Sequence, residues 1–144
     1  MSGSWSEASA AGVRFDRPES LVEVEALTDA ADLVQLQDTE RALVASVYRR
    51  RVLGNGALGL EAAAGGVVGA YRDRGPVEVE RSEGDPARWR TSFAALGSQA
   101  SRVEVVVVRT STSDATVVEL AHPLALDDDD RPVVATIVSS IELA

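Results

Sequence analysis

Arg102-Val-Glu-Val-Val-Val-Val-Arg109, Ala115-Thr-Val-Val-Glu-Leu-Ala-His122 and Pro132-Val-Val-Ala-Thr-Ile-Val-Ser-Ser-Ile-Glu-Leu143 are three Val-rich runs separated by turn-forming residues. β-Branched runs bounded in this way predict consecutive strands. The connections are too short for parallel crossovers, so the expected product is a C-terminal antiparallel sheet of three or more strands. Along the first run Val103, Val105 and Val107 oppose Val106 and Val108. Along the third, Val133, Ala135, Ile137 and Ile141 oppose Val134 and Val138. Two apolar faces require cover on both sides. If the chain covers only one, the other is an interface, with Val106, Val108, Val134 and Val138 as its candidate residues.

Working back from this sheet, the clearest helical spacing is Leu33, Leu36, Leu43, Val44 and Val47. It predicts a long N-terminal helix from Asp29 to about Arg51, with Thr28 or Asp29 as its cap and Arg49, Arg50 and Arg51 in the last turn. Asp85-Pro86 followed by Trp89, Phe93 and Leu96 predicts a second, shorter helix ending at Gly97. Leu21 to Leu27 and Val77 to Arg81 alternate as strands. Gly54 to Tyr71 is rich in small residues, either an irregular loop leading to a short helix or a glycine-laden helix packed closely on another backbone. The fold class expected is therefore α+β: one domain over residues 13–144 behind a flexible tail, residues 1–12, that carries Trp5.

Composition narrows the function. Acidic residues outnumber basic ones 23 to 14, for a net charge of −9. Phosphate backbones and anionic bilayers demand the opposite balance, so neither nucleic acid nor a membrane is an expected partner. All the basic residues are arginine, which reflects a GC-rich coding background or a salt-adapted acidic surface. Aromatic content is 4%, leaving an aliphatic core and little material for base stacking. With no cysteine, disulfides and thiolate chemistry are excluded. Neither a signal peptide nor an 18-residue apolar span is visible, so the expected location is the cytoplasm or a particle assembled there.

Four features could carry chemistry. Gly54-Asn55-Gly56-Ala57-Leu58-Gly59 matches the glycine spacing of dinucleotide loops, with Glu78 or Glu80 as the acid about 20 residues on. The pattern requires a buried strand before it, whereas Tyr48 to Leu53 reads as the arginine-rich end of a helix. Asp127 to Asp130 offers carboxylates without calcium-loop spacing and reads as a solvated turn. His122, the single histidine, lacks metal or triad partners and reads as a strand-end residue near the surface. Arg49, Arg50 and Arg51 complement a helix dipole or form an intersubunit salt-bridge patch.

No catalytic group, metal site or cofactor is implied. The expected function is a non-enzymatic protein-interaction or assembly subunit with protein partners and self-association: a component of a larger complex such as a phage virion, or a small acidic adaptor or chaperone. Trp5, the arginine run and the four valines are its candidate interface residues. The alternative is a small nucleotide- or phosphate-binding protein using Gly54, Gly56 and Gly59.

Overall fold

The computed structural model describes residues 4–25, 33–97, 100–126 and 128–144. In chain order the elements are β1 (Trp5–Ala10), β2 (Val13–Pro18), β3 (Val22–Val24), β4 (Val34–Asp38), β5 (Leu43–Arg51), α1 (Ala57–Arg72), β6 (Val77–Gly84), β7 (Arg88–Ala95), β8 (Ser101–Arg109), β9 (Asp114–Pro123), α2 (Arg131–Ser140) and β10 (Glu142–Leu143). A seven-stranded sheet runs β3-β4-β5-β9-β8-β7-β6, antiparallel throughout, beside a three-stranded sheet β1-β2-β10. Helix α1 carries the chain from β5, in the middle of the large sheet, to the edge strand β6.

Both faces of the large sheet are covered from within the chain. Successive side chains on a strand point to opposite faces, so Val103, Val105, Val107 and Val117 pack with Leu60, Ala64 and Val67 of α1. Val106, Val108, Val118 and Leu120 turn the other way, to meet Val13 and Phe15 of β2 and Val134, Ile137 and Val138 of α2.

The α+β expectation of a long N-terminal helix and a small C-terminal sheet is overturned; the protein is mostly β. Of the stretch expected to be the long helix, residues 34–51 form the β4–β5 hairpin. Leu36 and Leu43 are seven residues apart, which suits a helix, but a turn lies between them. Within each strand the buried residues repeat every second position, as in Leu43, Ala45 and Val47. Asp38 caps that turn rather than a helix: its Oδ1 accepts the N–H groups of Glu40 (3.1 Å) and Arg41 (3.3 Å). The expected helix caps, Thr28 and Asp29, lie outside the described residues.

The second helix fails for the same reason. Asp85 Oδ1 accepts the N–H groups of Ala87 (2.8 Å) and Arg88 (3.0 Å), closing the β6–β7 hairpin. Residues at i and i+4 share a face in a strand as well as in a helix, so Trp89 and Phe93 did not discriminate. Leu96, at i+7, did: it is exposed.

The third Val-rich run is a helix as far as Ser140, and only Glu142–Leu143 at its end are strand. Val134, Ile137, Val138 and Ile141 fall at i, i+3, i+4 and i+7 and are all buried, while Ala135, Thr136 and Ser139 are exposed. Pro132 sits in its first turn, where a missing N–H is harmless. Tertiary packing of that stripe overrides the β-branched composition. Residues 5–10 of the expected tail are strand β1, paired along its length with β2 through a two-residue turn at Ala11 (φ 51°) and Gly12 (φ 85°).

One buried network ties these parts together. Asp38, with no exposed side-chain surface, accepts from Ser20 Oγ (2.7 Å) and Arg41 Nη1 (2.7 Å). Arg41 Nε also reaches Asp130 at the start of α2 (3.0 Å). Burial pushes the Asp38 carboxyl up, but the Ser20 and Arg41 hydrogen bonds outweigh it and hold the group below the usual carboxylate range.

Candidate functional site

Strand β5 ends in Arg49, Arg50 and Arg51, all exposed, and the chain turns through Val52 to Gly56 into α1. Val52 is buried and its N–H donates to the Ser113 carbonyl (2.9 Å), which anchors the turn to the β8–β9 side. The residues on either side of the glycine turn behave differently. Leu53 is 91% exposed and Leu58, in the first turn of α1, is 78% exposed. Scattered exposed leucines are ordinary, but these two project from one corner and line, with Arg50 and Arg51, a surface hollow of about 360 Å³.

The corner is rigidly built. Gly54 adopts φ +75°, a left-handed conformation that a side chain strains. A Cβ at Gly59 would lie 2.6 Å from the Leu53 carbonyl oxygen, so α1 can approach the turn this closely only with glycine there. Arg109 completes the structure. Its guanidinium donates to the carbonyls of Gly54 (3.1 Å), Gly56 (2.9 Å), Thr112 (3.1 Å), Ser111 (3.4 Å) and Pro86 (2.7 Å), stapling three loops together. Sequence reasoning missed Arg109, since a strand-end arginine carries no mark of what it will reach. Leu53 and Leu58 carry a signal in the sequence: two large apolar residues flanking a Gly- and Asn-rich turn.

The glycine motif does follow a strand and open a helix, contrary to the helix expected before it. Gly54 has a conformational reason and Gly59 a packing reason, and Arg109 occupies the loop's carbonyls. Glu78 and Glu80 are on β6, at the far edge of the sheet with β9, β8 and β7 between, so the structure does not bring them to the loop.

Next to the corner, on the α1 side of the sheet, Tyr48, Arg50, Tyr71, Arg74 and Glu119 line a polar pocket of about 230 Å³. Burial pushes the Glu119 carboxyl above its ordinary range against the opposing pull of Tyr48, Arg74 and Arg50. Tyr48 and Tyr71 are likewise pushed up, first by burial and then by the Glu119 charge. Arg74 lies over the Tyr71 ring at 5.6 Å, and Tyr71 meets Phe93 edge-on at 5.2 Å. Arg50 thus joins the polar pocket to the apolar corner.

The remaining expected interface residues are elsewhere. Trp5 is 40% exposed at the start of β1. Val106, Val108, Val134 and Val138 are buried in the chain's own core, between the sheet and α2. Asp130 is engaged by Arg41 and Asp128 by Arg131 (3.4 Å); Asp127 lies outside the described residues.

Comparison with known proteins gives a fold without a family. No family model and no curated protein sequence matches this chain. Solved structures do. The Saccharomyces cerevisiae Ran-binding protein Mog1p superposes with a TM-score of 0.71, covering 99% of this chain and 96% of its own, at 10% identity. A point mutant of Mog1 gives 0.68 at 9% identity, with the same coverage. Cyanobacterial PsbP (CyanoP) from Synechocystis gives 0.69 at 15% identity, covering 100% of this chain and 95% of its own. The chain has the Mog1/PsbP fold. At these identities the likeness concerns architecture alone, and the chemistry of the corner must be argued from its own residues. No helix among the described residues is long and apolar enough to cross a membrane.

Proposed function

We propose that this protein is a non-enzymatic binding module that docks a partner protein through the β5–α1 corner. The observation that carries the reading is the exposure of Leu53 and Leu58 on a turn locked by Arg109 and by the close approach at Gly59. Two leucines held in water on a rigid support are pre-organised to bury in a partner, each contributing about 1.5–3 kcal/mol when fully covered. Arg51 and Arg50 at the rim define the partner's chemistry as an apolar pocket bordered by carboxylates. The fold supports this reading, since Mog1p, which shares it, is a Ran-binding protein. Neither Mog1p nor CyanoP lends support to a virion component or a small acidic chaperone, and both ideas are set aside.

The test is affinity capture from the native source with three baits: wild type, the Leu53→Asp/Leu58→Asp double variant, and Ser139→Asp on the exposed face of α2. Both leucines are exposed, so the double variant should keep its circular dichroism spectrum and melting temperature. The expected result is a partner recovered by wild type and by Ser139→Asp and lost with the double variant. A recovered set that is identical for all three baits contradicts the proposal.

A further inference from the structure

A second concavity lies on the opposite face of the large sheet, between α2 and the ends of β7, β8 and β9. It encloses about 330 Å³, the lower end of the range for ligand pockets. The strand alternation that builds the core also builds its floor. Positions that would continue the apolar face are here Arg90, Arg102, Glu104 and His122, with Glu104 opposite Ser92 and Arg102 opposite His122 in register. The wall is apolar: Val134 and Val138 of α2, with Leu124 and Leu126 from the connection before it. Arg131 also lines the cleft.

The polar groups are unevenly satisfied. Glu104 is held by a short hydrogen bond from Ser92 Oγ. Arg102 Nη1 reaches Glu80 at 2.5 Å, and Arg131 reaches Asp128 at 3.4 Å. Arg90 differs. Its guanidinium, with five N–H donors, engages one acceptor among the described residues, Glu104 Oε2 at 3.5 Å, and its Nε is buried without a partner. The Arg90 side chain is 34% exposed, so its terminal N–H groups stay open to the cleft and can address an anion there with charge-assisted hydrogen bonds.

His122, expected near the surface, is only 4% exposed. Its Nδ1 lies 2.8 Å from the Pro123 carbonyl oxygen, which can only accept, so the proton sits on Nδ1 and Nε2 is left as an acceptor. Burial lowers the imidazole's affinity for a second proton and favours that neutral form. The cleft is therefore lined by a cationic donor, a neutral imidazole and an apolar wall. Glu104 inside it and Glu80 and Asp128 around it equal the three arginines in number, so the cleft is close to neutral, which suits a singly charged anion better than a dianionic phosphate.

We propose that this cleft receives the carboxyl-terminal residue of a partner polypeptide that ends in an apolar side chain. A chain terminus carries the three complements together: a carboxylate for Arg90, an N–H for His122, and a side chain to lie along Val134 and Val138. The inference rests on the protein-binding reading, but it uses the other face of the sheet from Leu53 and Leu58.

The test is NMR titration of the labelled protein with acetyl-Gly-Ser-Leu bearing a free carboxylate, the same peptide as its amide, hexanoate and inorganic phosphate. The free-acid peptide should shift the amides of Arg90, Glu104, His122 and Ala135, with Kd of about 1 mM or tighter. The amide and the Arg90→Gln variant should each bind about tenfold more weakly. Ala135→Phe, which fills the cleft from the exposed flank of α2, should abolish binding with the fold intact. The Leu53→Asp/Leu58→Asp protein should bind the peptide as wild type does, so failure at the corner and failure at the cleft are read separately. Equal binding of acid and amide, shifts that map elsewhere, phosphate competing as well as the peptide, or hexanoate binding where the peptide does not would each overturn the assignment.

Discussion

Substituting alanine for glycine along α1 should change stability with opposite signs at positions a few residues apart. Gly65 and Gly69 have nothing within 4 Å of where a Cβ would stand, so alanine there adds helix propensity and meets no obstacle. Each should stabilise by about 0.5–1 kcal/mol. At Gly59 the same gain is opposed by a backbone oxygen. The new methyl would sit 2.6 Å from the Leu53 carbonyl and must retreat by several tenths of an ångström to reach ordinary contact. Neither atom is on a flexible side chain, so either α1 or the turn has to move. Overpacking of this kind costs about 1–3 kcal/mol. Gly59→Ala should therefore be destabilising by about 1–2 kcal/mol after the propensity gain, and lie about 2–3 kcal/mol below Gly65→Ala. Urea unfolding with an unchanged m-value measures the difference directly. In a chain of 144 residues the destabilisation also lowers the melting temperature by a few degrees. If Gly59→Ala were as stabilising as Gly65→Ala, the close approach that sets the corner would be wrong, and with it the claim that Leu53 and Leu58 are rigidly presented.

Two further predictions concern buried charge. Asp38→Asn keeps the shape of the β4–β5 turn but removes the carboxylate that Arg41 and Ser20 address; a loss of about 3 kcal/mol in urea unfolding at neutral pH is expected, the usual scale for breaking a buried charged hydrogen-bond set. Because the folded Asp38 carboxyl lies below its ordinary value of 3.8, its contribution is present above that pH and disappears as pH falls through the folded value. Glu119 works in the other direction. Burial raises its carboxyl above the ordinary 4.5, so the folded state holds the proton more tightly than the unfolded chain, and stability is lost as pH rises from 4.5 through the folded value. The advantage of Glu119→Gln over wild type should accordingly be larger at about pH 7 than at about pH 4, since the Asp38 effect is common to both proteins and cancels. An advantage that shrinks with rising pH would refute the stated balance between burial and the neighbouring arginines.

The β8–β9 hairpin was legible in the sequence because its alternation is long, uninterrupted and bounded by Thr110 to Ser113. The β4–β5 hairpin was not, since Leu33, Leu36, Leu43, Val44 and Val47 satisfy a helical template by spanning a turn. What distinguishes the two is Ala45, small enough to be ignored in an apolar stripe yet fully buried. Asp85 misled because a carboxylate that accepts two following N–H groups looks alike in sequence whether a helix or a hairpin continues beyond it. For α2 the helical stripe at Val134, Ile137, Val138 and Ile141 follows a helix-compatible Pro132, but the β-branched composition of the same residues reads as strand. The candidate sites were legible only in part. The arginine run marked the corner without its two leucines, and Arg109 staples it through contacts that exist only after three loops converge. The cleft depends on Arg90, Arg102, Glu104 and His122 sharing a face across three strands, a register no single run displays.

The most direct measurement of the docking claim is site-specific photocrosslinking in the native source, with a benzophenone amino acid placed at Leu53, at Leu58 or, as a control, at Ser139 on the far face. The account predicts the same partner adduct from positions 53 and 58, absent from position 139, whose peptide attachment site in the partner lies in an apolar pocket flanked by acidic residues. No adduct at 53 or 58, or the same adducts from all three positions, would contradict it.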